Sequence, residues 1–192
     1  MAFDAMTETT DEALLALYAE GDQASARALM LRHAPRVLGL ATRMLKDRTE
    51  AEDVTQEAML RLWKIAPDWR AGEARVSTWL YRVASNLCTD RLRRKRGVGL
   101  DQAPEVADDS PGAEEQMIQA DRGKALNIAM GRLPERQRLA LTLRHFQELS
   151  NPEIAEVLET SVEAVESLLS RGRRALAKDL QKHRPALGLA QE

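Results

Sequence analysis

Cysteine is almost absent from this chain, which has a single one, Cys88, among its 192 residues. One cysteine excludes an intramolecular disulfide and is typical of a protein in a reducing compartment. Cys88 follows Leu87 in a helical pattern, which favours the role of a small buried side chain over that of a reactive thiol.

Histidine is also scarce, with three residues at His33, His145 and His183. They are isolated, and none has a second ligand at the spacing of a metal site, so we expect no metal and no cofactor. No nucleophile, base or ligand set stands in a catalytic arrangement. We therefore expect that the protein is not an enzyme.

Long apolar runs are missing too. No run approaches the length of a membrane-spanning helix, and the acidic N-terminus lacks the apolar core of a signal peptide. We therefore expect a cytoplasmic protein that does not insert into a membrane. Charged residues make up 30 % of the sequence and aromatic residues 4 %, a composition common in all-α soluble proteins.

The net charge of −2 conceals a division of the chain into three parts. Residues 1–98 carry 16 Lys and Arg against 14 Asp and Glu, and residues 122–192 carry 12 against 9. The segment 99–121 has 7 acidic residues and no basic one. This pattern predicts two mildly basic units on either side of an acidic segment. The linker is predicted at 97–112, where Gly, Pro, Asp and Ser interrupt any helical period.

The segment 49–96 contains the densest functional signals. Its first half predicts a helix that opens with a capping box at Thr49 and Glu52. One face of this helix carries an apolar stripe: Ala51, Val54, Ala58, Leu62 and Ile65. Another face carries three polar residues at the same spacing: Asp53, Gln56 and Glu57. Such a polar face is either merely solvated or a surface that binds a partner.

The second half of this segment predicts another helix, with Ser77 as its N-cap. The helix ends in a dense basic run: Arg91, Arg93, Arg94, Lys95 and Arg96. The helix macrodipole favours cations at a C-terminus, but five cations exceed what capping requires. We therefore interpret the run as a phosphate-binding surface.

All three tryptophans of the chain, Trp63, Trp69 and Trp79, lie in the same segment. Trp69 precedes an arginine, and Trp79 is followed closely by Tyr81. Aromatic rings beside cations are either ordinary core packing or the kind of site that holds unstacked, single-stranded bases.

The C-terminal part predicts a helix-turn-helix. Ser150 and Glu153 form a capping box for a short helix, the turn lies at 159–161, and Thr160 or Ser161 caps a longer last helix. Such a pair can place its second helix in a DNA major groove while the first crosses the backbone. An ordinary helical hairpin gives a similar sequence, so this pattern alone leaves both interpretations open.

Two stretches resemble one family. AEDVTQEAMLRLWK, followed by STWLYRVASNLCTDRLRRKR, resembles the second conserved region of bacterial extracytoplasmic-function (ECF) sigma factors. LPERQRLALTLRHFQELSNPEIAEVLETSVEAVESLLSRGRRAL is similar to the fourth region of the same family. The two matches stand in the family's order and cover most of residues 24–178.

The resemblance implies an all-α fold of two small helical domains, a region 2 helical bundle and a region 4 helix-turn-helix domain, joined by a flexible acidic linker. The expected boundaries are a disordered N-terminus at 1–10, region 2 at 11–96, the linker at 97–112, region 4 at 113–182 and a C-terminal tail at 183–192.

The resemblance also implies a function. An ECF factor binds core RNA polymerase, through the clamp helices of the largest subunit and the flap of the second-largest subunit, and directs it to promoter DNA. Region 2 reads and melts the −10 element, and region 4 reads the −35 element. An anti-sigma factor usually holds such a factor inactive, and we expect a monomer when it is free.

The two matched regions point to three sets of candidate residues, and the first set matches the family positions that engage the clamp helices. Those for the polymerase are Asp53, Gln56 and Glu57. Those for the −10 element are Arg75, Ser77, Asn86, Arg93, Arg94 and Arg96. Those for the −35 element are Ser161, Glu163, Ala164, Ser167, Ser170, Arg171, Arg173 and Arg174.

The recognition helix departs from the family at Glu166 and Leu168, where many members have a basic pair. Glu166 is unfavourable near phosphates unless it accepts from a cytosine amino group. The sequence therefore predicts DNA binding by this helix but no specific −35 sequence. Arg173 and Arg174 are interpreted as phosphate contacts, which position the helix without specifying bases.

Two other classes of protein remain as alternatives. A sigma-like decoy or adaptor would bind an anti-sigma factor without binding DNA, and it predicts loss of the cations in the basic run and recognition helix. An ordinary helix-turn-helix repressor or activator would need no tryptophan-rich segment for strand capture, and it would usually dimerise.

Overall fold

The structure is a computed structural model that describes residues 9–70, 72, 74–97, 123 and 125–182. Within these residues all regular structure is helical, and the helices fall into two compact units. The predicted all-α architecture of two helical domains is confirmed. None of the helices in these ranges is long and apolar enough to cross a membrane. Outside the described residues lie most of the expected disordered N-terminus, the expected linker beyond Gly97, the start of the expected second domain and the C-terminal tail.

Four α-helices and one 3-10 turn build the described part of the first unit. In chain order they are α1 (Asp11–Ala19), α2 (Gln23–Leu45), α3 (Arg48–Ile65), the 3-10 turn (Ala66–Asp68) and α4 (Val76–Gly97). Helix α2 packs against each of the other three, and α3 also packs against α4. Helix α2 is therefore at the centre of the bundle.

The core of this unit comes from apolar residues spaced three and four apart along each helix. On α3 the predicted stripe is buried at every position except Ile65, which is partly exposed. Tyr81 on α4 is buried, and this burial raises the pKa of its phenol. Cys88 is buried as well, as predicted. Each fully buried large apolar side chain contributes about 2 kcal/mol to the free energy of folding.

Side-chain caps determine where the first helices begin. Thr10 accepts a hydrogen bond from the Ala13 amide at 3.2 Å and so caps α1. Asp22 accepts from the amides of Ala24 and Ser25 at 3.1 Å each and caps α2, as an acidic N-cap should. The ordered unit therefore includes Thr10, which the sequence assigned to a disordered N-terminus.

Helix α3 begins earlier than its predicted capping box at Thr49. Asp47 is the N-cap, and its carboxylate accepts from the Glu50 amide at 3.1 Å. The prediction is wrong because Asp47 and Glu50 repeat the same capping spacing two residues upstream. Ser77 is also not an N-cap, because α4 already begins at Val76. At its other end α4 includes the first residue of the expected linker.

A partly buried polar contact joins α1 to α2. The Asp11 carboxylate lies 2.8 Å from Arg32 Nη1 and 2.8 Å from His33 Nε2. His33 is 6 % exposed, and Nε2 must carry a proton because an ionised carboxylate only accepts. Burial by itself raises the pKa of Asp11, but the hydrogen bonds from His33 and Arg32 outweigh it and hold that pKa below its ordinary value.

The described part of the second unit has four helical segments: α5 (125–131), α6 (Glu135–His145), α7 (Asn151–Val157) and α8 (Val162–Lys182). Helix α6 packs along α8. Gly172 allows their close approach, since a Cβ at this position would stand 2.9 Å from Leu141 Cδ1. Pro134 is the N-cap of α6 and has no side-chain capping bond.

Replacing Asp11 by Asn should lower the stability of the first unit by about 2 kcal/mol at neutral pH, because it removes a charged acceptor from two partners. The pKa of Asp11 is lowered in the folded state, so its contribution is present above its ordinary pKa and disappears as the pH falls through the folded value. The difference between variant and wild type should therefore shrink in acid. Urea unfolding monitored by tryptophan fluorescence measures the first unit alone, because all three tryptophans lie there.

Glu12→Gln is the matched control, since Glu12 neighbours Asp11 on α1 and makes no hydrogen bond or ion pair with other described residues. It should leave the unfolding free energy unchanged at both pH values. The assigned contact would be contradicted if both variants lowered the unfolding free energy equally. It would also be contradicted if Asp11→Asn lowered that free energy as much in acid as at neutral pH.

Candidate polymerase and nucleic-acid interfaces

The polar residues predicted on α3 form one outward face. Asp53 and Gln56 are exposed and Glu57 is partly exposed, on the side away from the buried stripe. Glu57 accepts a hydrogen bond from Arg61 at 2.7 Å, one turn further along the helix. The Asp53 carboxylate lies 3.9 Å from Arg91 on α4. The structure therefore brings together the three residues predicted to bind polymerase.

These residues line a surface groove of about 420 Å³ between α3 and α4. On the α3 side the lining continues with Leu60, which is 54 % exposed although it is apolar. The α4 side is lined by Leu87, Asp90, Arg91 and Arg94. The sequence predicts the polar face but misses the groove, because no pattern within one helix shows which α4 residues face it. The one available signal is Leu60, which lies outside the apolar stripe and one turn after Gln56.

The basic run at the end of α4 does not form a single surface. Arg91 Nη1 donates to the Glu50 carboxylate at 2.9 Å and to the Glu50 carbonyl at 2.7 Å. Lys95 Nζ lies 3.5 Å from Asp47 and 3.7 Å from Glu50. Both cations thus bond to the N-terminal end of α3. These two cations therefore have acidic partners within the chain, and the interpretation of the whole run as a phosphate-binding surface stays a prediction.

The three remaining cations of the run are exposed and diverge around α4. Arg93 donates to Asp90 at 2.9 Å, and Arg96 donates to a backbone carbonyl of its own helix at 3.4 Å. Arg94 lines the groove beside α3. Arg93 shares a face with Asn86, because seven residues are about two turns of helix.

The other residues predicted to bind the −10 element occupy different sides of α4. Arg75 is exposed immediately before the helix. Ser77 is half-buried and lies nine residues before Asn86, which is about two and a half turns and hence the opposite side. The structure therefore places Asn86 and Arg93 on one surface and Ser77 away from it.

Four of the described aromatic residues of the first unit form two separate pairs. Trp69 and Trp79 meet edge to face, with ring centroids 6.0 Å apart, at the two ends of the connection between the 3-10 turn and α4. Trp63 instead packs on Tyr18 of α1, with centroids 4.7 Å apart. Trp69 and Trp79 are partly exposed, whereas Tyr81 is buried and serves as core. Among the described aromatic residues, the pair Trp69–Trp79 is the one that lies at this connection.

The helix-turn-helix is present in the second unit. The Ser150 amide donates to the Glu153 carboxylate at 2.8 Å and the Glu153 amide to Ser150 Oγ at 3.4 Å, which confirms the predicted capping box of α7. Glu159 in the turn has φ of +49°. Ser161, not Thr160, caps α8, since its hydroxyl accepts from the third helical amide at 3.2 Å.

Helix α8 has a buried face and an exposed face. Val165, Leu169 and Gly172 are buried in the second unit. Seven of the eight residues predicted to bind the −35 element are exposed, and Ala164 is partly exposed. The exposed seven are Ser161, Glu163, Ser167, Ser170, Arg171, Arg173 and Arg174.

Charge is unevenly distributed along this exposed face. Hydrogen bonds with its own amide and with Ser161 lower the pKa of Glu163, so the N-terminal turn of α8 is negative at neutral pH. Two turns later, Arg171 and Arg174 make no ion pair or hydrogen bond with the rest of the described chain. Arg173 donates to the Leu169 carbonyl at 3.3 Å. Arg171 and Arg174, in the middle of the helix, are therefore available for phosphates.

Comparison with known proteins explains the two units together. The Sigma-70 region 2 family matches residues 29–98, within α2 to the end of α4, and the Sigma-70 region 4 family matches residues 125–176. The RNA polymerase sigma-H factor of Pseudomonas aeruginosa is 33 % identical over 187 residues, which are 92 % of this chain and 96 % of that protein. The ECF RNA polymerase sigma factor SigW of Bacillus subtilis is 30 % identical, over 84 % of this chain and 92 % of its own length. This chain belongs to the ECF RNA polymerase sigma factor family.

The fold of this sigma factor also resembles those of solved structures. CnrH, solved in complex with the cytosolic domain of CnrY, is 25 % identical with a TM-score of 0.68, over 90 % of this chain and 97 % of that one. RpoE of Bartonella quintana, solved with the anti-sigma factor NepR, is 20 % identical with a TM-score of 0.66, over 79 % and 94 % of the two chains. The resemblance stated from the sequence is confirmed.

Arg91→Ala should destabilise the first unit of this sigma factor by about 2 kcal/mol, because two short hydrogen bonds to Glu50 are lost. Lys95→Ala should cost less than about 0.5 kcal/mol, because its longer contacts are screened by solvent. Urea unfolding followed by tryptophan fluorescence gives both values. Arg93→Ala, which removes an exposed pair from the same helix, is the control and should resemble Lys95→Ala. If Arg91→Ala and Lys95→Ala lowered the unfolding free energy by the same amount, the predicted difference between the two residues would be wrong.

Proposed function

We propose that this protein is an alternative sigma factor that binds core RNA polymerase and directs promoter-specific transcription initiation. The observation that carries the proposal is the match of region 2 and region 4 in one chain and in the family's order. Such a factor catalyses no reaction itself, and it changes which DNA the polymerase recognises. It acts in the cytoplasm, where polymerase and promoter DNA are found, and is a monomer when free.

We divide this function between the domains at the boundaries expected from the sequence. Residues 11–96 bind core polymerase and the −10 element, and residues 113–182 bind the −35 element and the flap of the second-largest subunit. Residues 97–112 serve as the tether between them. Helices α1–α3 and α5–α8 lie within the two functional ranges, and α4 lies within the first range except for its last residue, Gly97.

The polymerase contact on region 2 is proposed for the outward face of α3. Asp53, Gln56 and Glu57 share this face and are turned away from the core. Their side chains can accept hydrogen bonds from basic residues on the clamp helices of the largest subunit. The arrangement supports a helix-on-helix contact, because Gln56 and Glu57 each lie about one turn after Asp53 on the same face of α3.

The −10 element is proposed to be captured as an unpaired strand. Extruding a base costs unstacking energy of about a few kcal/mol, which a protein offsets by stacking and hydrogen bonding. The partly exposed pair Trp69 and Trp79 stands beside exposed Arg75, which supports strand capture at this connection. Asn86 and Arg93 supply a hydrogen-bonding group and a cation on one further surface.

The −35 element is proposed to be read by the exposed face of α8 in the major groove. Ser167 and Ser170 can hydrogen-bond to base edges, and the arginines can hold phosphates. An ionised Glu163 suits a cytosine amino group and not a phosphate. The exposed serines in the first half of α8 and the arginines that follow them support this orientation.

An anti-sigma factor is proposed to control the protein, as the family resemblance implies. Such an inhibitor can cover the surfaces that polymerase requires, and two separate helical units offer it more surface than one compact domain. RpoE of Bartonella quintana, which shares this fold, binds the anti-sigma factor NepR.

Alanine at Asp53, Gln56 and Glu57 together should weaken binding to core polymerase by at least about tenfold, because close charged contacts at interfaces contribute more than 1.4 kcal/mol. Promoter-specific transcripts should disappear together with core binding. In vitro transcription across a genomic promoter library, alongside a direct Kd for purified core polymerase, measures both. An Arg48→Ala, Glu52→Ala double variant is the control, since this exposed pair lies on the same helix outside the groove.

Three outcomes of that experiment are informative. Loss of both core binding and transcription in the triple variant supports the sigma factor function. Core binding by the wild-type protein without any transcript favours the decoy. No core binding by folded wild-type protein contradicts the proposal and favours an ordinary helix-turn-helix regulator.

Arg171→Ala and Arg174→Ala in the holoenzyme should weaken binding to every promoter alike and reduce the salt dependence by about one unit of slope each, because each removes one phosphate contact. Ser167→Ala and Ser170→Ala should instead change the preferred −35 sequence. Affinity measurements at several salt concentrations on a set of −35 variants separate the two effects. Lys182→Ala at the end of α8 is the control. Sequence-dependent losses for the arginine variants would contradict the orientation proposed for α8.

A further inference from the structure

We propose that Arg94 and Leu60 belong to the polymerase-binding surface and that Arg94 is not a promoter contact. The site is the groove between α3 and α4, and its occupant is a helix of core polymerase. This inference rests on the proposed function, because it extends the contact assigned to Asp53, Gln56 and Glu57 onto α4.

The groove is continuous with that contact. The three residues on α3 form one wall, and Arg94 is on the opposite wall together with Asp90. A partner lying along Gln56 therefore meets Arg94 as well. Its volume of about 420 Å³ suits the protruding side chains of a helix, which is the recurrent way in which a helix docks into a groove.

Arg94 is the groove cation that is available to a partner. Arg61 is bound to Glu57 at 2.7 Å, and Arg91 is bound to Glu50 at 2.9 Å. Within the described residues Arg94 makes no hydrogen bond or ion pair, and it is exposed. A guanidinium in this state can form a bidentate contact with a carboxylate of the partner.

The groove offers a phosphate no net attraction. Three carboxylates, those of Asp53, Glu57 and Asp90, line it together with three arginines, Arg61, Arg91 and Arg94. The lining is therefore neutral overall, whereas a DNA backbone is bound through a surplus of cations. A protein helix can instead present a cation to Asp53 and a carboxylate to Arg94 at the same time.

Leu60 supplies the apolar part of the contact. It is 54 % exposed and lies in the groove with Leu87, so two leucines are surrounded by charges of both signs. Protein interfaces commonly have this arrangement of an apolar centre within a polar rim. Single-stranded DNA would need an aromatic platform at this point, and the groove lining contains no aromatic residue.

The groove therefore specifies the chemistry of its partner. The docking helix should carry an apolar side chain over Leu60, a basic residue facing Asp53 and an acidic residue facing Arg94. A docking helix with charges of only one sign cannot pair with both Asp53 and Arg94. The arrangement of charges therefore determines the orientation of the docking helix as well as its affinity.

The test uses full-length charge variants in two separate assays. The Kd for purified core polymerase is measured by competition with labelled wild-type protein. Promoter affinity is then measured with core polymerase at a saturating concentration, so that a weakened core contact no longer limits it. Arg94→Glu and Leu60→Asp should each raise the Kd for core by about tenfold or more, and each should leave promoter affinity of the saturated holoenzyme within about twofold.

Arg96→Glu is the matched control, since Arg96 is an exposed cation two residues away and outside the groove. It should weaken promoter binding and leave the Kd for core unchanged. Arg94→Lys and Leu60→Met should retain most of the core affinity. Circular dichroism and urea unfolding exclude a folding defect in each variant.

Two outcomes would overturn the inference. One is a normal Kd for core in Arg94→Glu together with weaker promoter binding, which would return Arg94 to the DNA surface. The other is no effect of Arg94→Glu in either assay. In both cases the triple alanine variant on α3 reports separately on the proposed function. If that variant also binds core normally, the polymerase contact itself has been misplaced.

Discussion

The groove of the first unit depends on the pairing of the N-terminal end of α3 with the C-terminal end of α4. Asp47 and Glu50 are acidic groups at a helix N-terminus, and Arg91 and Lys95 are basic groups near a helix C-terminus. The acidic groups are therefore favoured by the dipole of α3 and the basic groups by the dipole of α4, in addition to their attraction for each other. The two helices run antiparallel, since the residue pairs 47–95 and 50–91 progress in opposite directions along the chain. The groove beside Asp53 lies between these two antiparallel helices.

Because of this contact, the cations near the C-terminal end of α4 lie in different environments. Arg91 and Lys95 bond to α3, Arg94 lines the groove, and Arg93 and Arg96 remain on other sides of α4. A sequence of net charge −2 can thus carry local cationic surfaces without an overall basic character. The balance matters for a protein proposed to meet both polymerase and DNA, since indiscriminate cations would also favour nonspecific DNA.

How much was predictable from the sequence depended on whether a signal lay within one helix. The stripe from Ala51 to Leu62 and the capping box at Ser150 repeat at helical spacing, and both predictions were right. The cap at Thr49 was misplaced because two overlapping capping patterns compete there and only the upstream one is used. The fate of Arg91 was unpredictable, because its acceptor Glu50 is 41 residues away in the chain. The groove could not be predicted from either helix alone, because residues of both α3 and α4 line it.

Gly172 has a consequence for how such a protein can change over time. Its missing side chain lets α8 lie close to α6, and the residues that face solvent on α8 are on the other side. If α8 reads the −35 element as proposed, promoter preference can change through these outer positions while the packing of the domain is untouched. At position 172 the situation differs, because any added carbon meets Leu141. Evolution there is expected to proceed through compensated pairs, with position 141 becoming smaller or shifting before glycine is replaced.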